Sequence, residues 1–206
     1  MLTYDSWLNN WRYFCNICSR FENVIQFVDD KVDSNGVFIN GGTFSNEFAM
    51  ILLSTSVEFE NVSKQLCEHF EIGFNTQTSN IVQITDCILT HCPNIGSAEV
   101  SLPHIVLRPL ENWNLNTATN RVDGLEWWDK YNNVKHQRYT NFQDANMKNC
   151  IYALASLLII ELYSAQELDN ISTSKKARYE LSVHPCQYFS FEYMRDLYLL
   201  NPRSLP

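Results

Sequence analysis

The run IYALASLLII at 151–160 does most to constrain what this chain can fold into. It is about half the ~20 apolar residues that a bilayer span requires, so the rest of the protein must bury it. Around it Phe142, Ala145, Cys150, Ala153, Leu154, Leu157, Leu158 and Leu162 recur at the spacing that sets side chains on one broad helix face. A core helix is therefore expected over 141–165. Thr140 and Gln143 are spaced as a capping box at its start, the threonine oxygen accepting a free N–H and the glutamine reaching back to the cap residue. A second helix, 125–138, leads into it.

The other elements are read by what they must dock against this helix. Trp7, Trp11, Phe14, Cys18, Phe21, Ile25 and Val28 step by three or four, giving an amphipathic helix over 6–32 with Asn9, Arg12, Asn16 and Glu22 outward. SNGVFINGG breaks it. Thr43 or Ser45 then caps a helix over 44–70 with Phe48, Ile51, Leu52, Val62, Leu66 and Phe70 inward. Its charges Glu58, Glu60 and Lys64 read as a solvated face, Glu60 and Lys64 being ordered for an i, i+4 pair. A further helix over 78–91 ends before Pro93. The prolines Pro103 and Pro109 limit 99–108 to a short edge hairpin, since neither can donate to a sheet ladder. The asparagine-rich stretch 112–124 reads as a surface loop, and the aromatic stretch 188–200 as a short C-terminal helix that docks on the body. The expected fold class is all-α: a single-domain antiparallel helical bundle over 1–206 with at most one short β-hairpin insertion.

Composition narrows the functional classes. With 206 residues and 45% hydrophobic content, one core can close, and no shift in composition calls for two domains. A formal charge of -8 disfavours a general polyanion-binding surface, which draws its affinity from lysine and arginine, but leaves room for a local basic cleft. Seven cysteines, an odd number without a regular framework, read as reduced thiols of a cytoplasmic protein. Cys15 and Cys18 with His91 and Cys92, or with His184 and Cys186, are enough ligands for zinc, yet the paired knuckle spacing is missing and cysteine in an apolar stripe acts as a small hydrophobe. No metal and no cofactor is therefore expected. A phosphate-cradling Gly-rich loop, a Gly-x-Ser-x-Gly elbow and a His-Glu-x-x-His helix are all absent from the sequence.

The polar residues that could carry chemistry gather on the 125–138 helix. Trp128, Tyr131, Lys135 and Arg138 share one face, and Asn132 and His136 form the adjoining row. An imidazole that titrates near neutrality beside cations that hold phosphate oxygens suits nucleotide or phosphodiester handling. The same pattern also suits plain structure, with last-turn cations complementing the helix dipole and the aromatics in the core. On that reading His136 packs beside Trp128 and Tyr131, and Arg138 is exposed.

The string WWDKYNNVKHQR at 127–138, with NFQDAN at 141–146 and the apolar helix through Ala155 and Leu157, resembles bacterial helical proteins related to the HEPN superfamily. STSVEFENVSKQLCE at 54–68 resembles their earlier helix, so about half the chain is covered. The resemblance implies a bundle of antiparallel helices, commonly a homodimer, in toxin-antitoxin, phage-defence or nucleotide-signalling systems. Catalytic members are metal-independent ribonucleases with an Arg-x4-6-His motif, whose arginine holds the scissile phosphate and whose histidine serves the 2'-hydroxyl or leaving oxygen. Arg178 and His184 in ARYELSVH have that spacing, although Tyr179 stands where the family prefers a small polar residue. His136 and Arg138 stand in the reverse order.

Two functions follow. One is a non-catalytic module that binds a protein partner, RNA or a nucleotide through Trp128, Tyr131, Asn132 and Lys135. The other is an endoribonuclease using His136, Arg138, Arg178 and His184 across a dimer.

Overall fold

The computed structural model describes residues 2–171, 176–183 and 188. The protein is mainly helical and carries two small two-stranded antiparallel sheets. Its helices are α1 (Tyr4–Ile25), α2 (Asn46–Phe70), α3 (Ile81–His91), α4 (Glu126–Asn141), α5 (Met147–Ile171) and α6 (Lys176–Val183).

α2 is the hub, packing on α1, α3, α4 and α5. Pairs of contacts give the directions. Cys150 meets Phe48 near the start of α5 and α2, whereas His69 meets Glu167 near their ends, so these two helices run parallel. Asn10 bonds Gln65 while Arg20 bonds Glu47, which makes α1 antiparallel to α2. Trp127 and Trp128 pack on Phe59 and Arg138 reaches Asn46, so α4 is antiparallel as well. The long helices α1, α2, α4 and α5 thus alternate in direction along the chain, which is why α2 and α5 run parallel.

α5 is more deeply enclosed than one apolar face implies. Ile151, Ala155, Ile159 and Ile160 are buried as well as Cys150, Ala153, Leu154, Leu157 and Leu158. A helix apolar all round belongs at the centre of a fold. By length and composition Met147–Asn170 would also reach across a membrane, but most of it is buried against the other helices. Its buried serines bond back into the helix, Ser156 Oγ donating to the Tyr152 carbonyl at 2.7 Å and Ser164 Oγ to that of Ile160 at 2.9 Å.

Several boundaries differ from those read in the sequence. α1 stops at Ile25 and not near residue 32, because side chains take over the backbone there. Asp29 accepts from the Lys31 N–H and Asp33 from those of Asn35 and Val37, forming turns around Gly36 at φ 75°. The capping box at Thr140 does not form. α4 runs to Asn141 through a kink at Gln137 (φ -142°, ψ 51°), and Thr140 Oγ1 donates to the Gln137 carbonyl. Asn146 caps α5 instead, accepting from the Asn149 N–H at 3.0 Å. Ser45 caps α2 as expected.

The hairpin near 99–108 is present as β1 (Val100–Ser101) paired with β2 (Val106–Leu107). The stretch 112–124 is not a plain loop: β3 (Asn114–Asn116) pairs with β4 (Arg121–Asp123). Asparagines at its strand positions hide the alternation, and the hairpin is held from its root, where buried Trp113 donates its indole N–H to Thr85 Oγ1 at 2.9 Å. The other root is Gly124, at φ 81°, where an added Cβ would overlap the Asn112 carbonyl. The expected helix over 188–200 lies outside the described residues except for Tyr188, whose hydroxyl donates to Asp30 and whose ring meets Phe21 edge-on at 5.0 Å.

Two substitutions test this packing by chemical denaturation. Leu157→Ala should cost about 2–5 kcal/mol, since the side chain is fully buried and a packed core relaxes only partly into the space left. Gly124→Ala should cost roughly 1–3 kcal/mol through its positive φ alone, and more through the overlap with Asn112.

Candidate functional site

The polar helix divides by burial. Trp128 and Tyr131 are buried, packed with Phe59 and Trp127 into one aromatic cluster, with Trp128 and Tyr131 ring centroids 5.0 Å apart. Asn132 turns its amide onto the Trp128 carbonyl at 3.1 Å. Lys135, His136 and Arg138 are exposed. His136 is therefore not packed beside the aromatics: it follows them by more than a turn, where α4 has left the core. Lys135 Nζ lies 5.2 Å from the Tyr131 ring centroid. Arg138 donates to Asn46 Oδ1 at 3.0 Å and lies over the Phe142 ring, tying the end of α4 to the start of α2. Arg178 belongs to α6, but its side chain and all of His184 lie outside the described residues.

A concave site lies at the opposite end of α4. A cleft of about 350 Å³ opens between the N-terminal turns of α4 and α5 and the segment after β2. Its wall carries two cations, Arg108 and Lys148, two carboxylates, Glu111 and Glu126, the amides of Asn112 and Asn149, and the rings of Trp127 and Tyr152. Arg108 is held by Glu99 and Glu111, and Asn149 by the Asp144 carbonyl at 2.8 Å. Lys148 Nζ lies 5.7 Å from the Tyr152 ring centroid. Burial pushes the Tyr152 hydroxyl above the usual tyrosine range, and the carboxylates of Glu126 and Glu111 add to it. Except for Trp127 at the edge of the aromatic string, none of these residues stands out in the sequence, because they come from three separate segments.

Glu58 is likewise misplaced by a reading of α2 as a solvated face. Glu60 and Lys64 do pair, at 2.6 Å, but Glu58 is buried. Glu161 is fully buried, and neither of its carboxyl oxygens has a hydrogen-bond partner among the described residues. Burial, with the charge of Glu58 second, holds its carboxyl well above the usual carboxylate range.

The cysteines among the described residues are free thiols. Cys15 and Cys18 lie on α1, whereas Glu71, Cys87 and His91 come together where α2 ends and α3 ends, with their ligand atoms all within 4.8 Å of one another. Burial pushes the Cys87 thiol up to about 11 and that of Cys92 up to about 12.

No family model matches the chain, and no curated protein or solved structure matches it significantly.

Glu161 makes stability depend on pH in a definite direction. Its pKa is raised on folding, so the folded state is favoured fully below the unfolded value near 4.5 and loses that advantage as pH rises towards the folded value. The loss approaches about 1.4 kcal/mol for each pH unit within that window. Glu161→Met should flatten the dependence, melting above the parent at pH 8 and closer to it at pH 4.5; thermal melts across that range check this.

Proposed function

We propose that this chain is a non-catalytic, HEPN-like binding module whose ligand site is the cleft between the starts of α4 and α5, and that its ligand is a nucleotide. The observation that carries the reading is the convergence there of an aromatic ring, two cations and hydrogen-bonding amides in one concavity. Tyr152 supplies a face for a planar base, Lys148 a point charge for phosphate, and Glu126 an acceptor for sugar hydroxyls. The exposed end of α4 offers no comparable enclosure around His136. A place in a cytoplasmic defence or stress system, and a homodimeric state, rest on the sequence resemblance. The ribonuclease reading keeps one supporting observation: Lys135, His136 and Arg138 are all exposed, so a second copy or an RNA strand could reach them.

Titration with adenosine and guanosine mono- and triphosphates, followed by tryptophan fluorescence, tests the proposal. Saturable binding is expected, weakened roughly tenfold by Lys148→Ala, which is the loss of about 1.4 kcal/mol reasonable for one charge-assisted contact. Tyr152→Ala should weaken it similarly, while His136→Ala leaves it unchanged. RNA cleavage that disappears in the His136→Ala and Arg138→Ala variants would favour the nuclease instead.

A further inference from the structure

The cluster at the ends of α2 and α3 is built like a divalent metal site. Cys87 and His91 stand four residues apart on α3, one turn along the same face. Glu71 is the C-cap of α2 and turns its carboxylate towards both. His91 Nε2 lies 3.5 Å from Glu71 Oε1, and the Cys87 sulfur lies within 4.8 Å of the ligand atoms of both. In a tetrahedral zinc site, bond lengths of about 2.0–2.3 Å put neighbouring ligand atoms roughly 3.3–3.8 Å apart. The imidazole and carboxylate already have that spacing, and all three groups lie close enough to close onto one ion.

The surroundings hold the ligands in place. The ring of Phe70 stacks on His91 with centroids 4.8 Å apart and an interplanar angle of 14°. Cys87 is buried beside Cys67, which anchors its own thiol on the Ile84 carbonyl. Glu71 and His91 are partly exposed, leaving a route for the ion and a side of the site open to water. Thiolate, imidazole and carboxylate together suit zinc better than calcium or magnesium, which take all-oxygen shells.

We propose that Glu71, Cys87 and His91 bind one zinc ion, with water in the fourth position, at a site separate from the cleft. Binding replaces the Cys87 S–H proton, which is released to solvent, so no oxidant or reductant is needed.

The test uses the full chain, reduced, stripped with chelator and titrated with zinc in competition with a chromophoric chelator, and in parallel with cobalt(II). One zinc per chain is expected, together with a thiolate-to-cobalt charge-transfer band and visible bands of tetrahedral intensity. Cys87→Ser should abolish the charge-transfer band. His91→Ala, at a partly exposed position that leaves the fold in place by circular dichroism, should weaken zinc by roughly 10- to 100-fold or more. Cys15→Ser should bind as the parent does. Failure to bind zinc stoichiometrically, or zinc binding that survives His91→Ala unchanged in a folded protein, would overturn the proposal.

Discussion

The fold depends on the parallel packing of α5 against α2. Each large apolar side chain taken out of water there contributes roughly 1.5–3 kcal/mol, and α5 has them on every side. Burial of this kind does not choose a register, because apolar surface is not directional. Polar contacts at the starts of the two helices supply it. The first free N–H groups of α5 donate to the turn that leads into α2, Met147 N to the Thr43 carbonyl at 2.9 Å and Lys148 N to that of Gly41 at 3.0 Å. Cys150 Sγ then contacts the Phe48 carbonyl within the interface. Donors that any helix start leaves unsatisfied thus become the clamp that sets the alignment of the two longest helices.

That same interface contains an electrostatic conflict. Glu161 is fully buried there, and the charge of buried Glu58 on α2 adds to the cost of ionising it. Protonation of Glu161 relieves the repulsion but still leaves its oxygens without hydrogen-bond partners among the described residues. The buried serines nearby avoid such a cost by bonding to their own helix, an option a carboxyl at Glu161 does not use. An apolar residue of similar volume would pack as well, so this carboxyl is not there to stabilise the core.

What was legible in the sequence follows from how each contact is encoded. Apolar stripes such as Trp7, Trp11, Phe14 and Phe21 report a face that meets one neighbour, and they locate α1, α2 and α3, although the stripe runs on past the true end of α1 at Ile25. They understate α5, where the serines, alanines and Glu161 between the leucines are buried too, because periodicity is lost when every side is covered. Asn114 and Asn116 concealed β3, whose strand is held by Trp113 and Thr85 through a contact 28 residues apart. Glu58 reads as solvated because a sequence names a charge and not its burial. The Glu71, Cys87 and His91 cluster is only half legible: Cys87 and His91 stand one turn apart on α3, but Glu71 comes from the end of α2, and a single Cys-x3-His spacing announces no site.

The cleft and the thiol cluster lie far apart on one scaffold. Tyr152 marks the cleft on α5, and Glu167, which meets His69 and influences Cys92, marks the other end. Fifteen residues of helix at about 1.5 Å each put roughly 22 Å between them, well beyond direct contact or effective screening length. Any influence of one site on the other would have to pass through the α2–α5 interface, and physical coupling requires an element there with two states of comparable free energy. Packed leucines and isoleucines do not provide one.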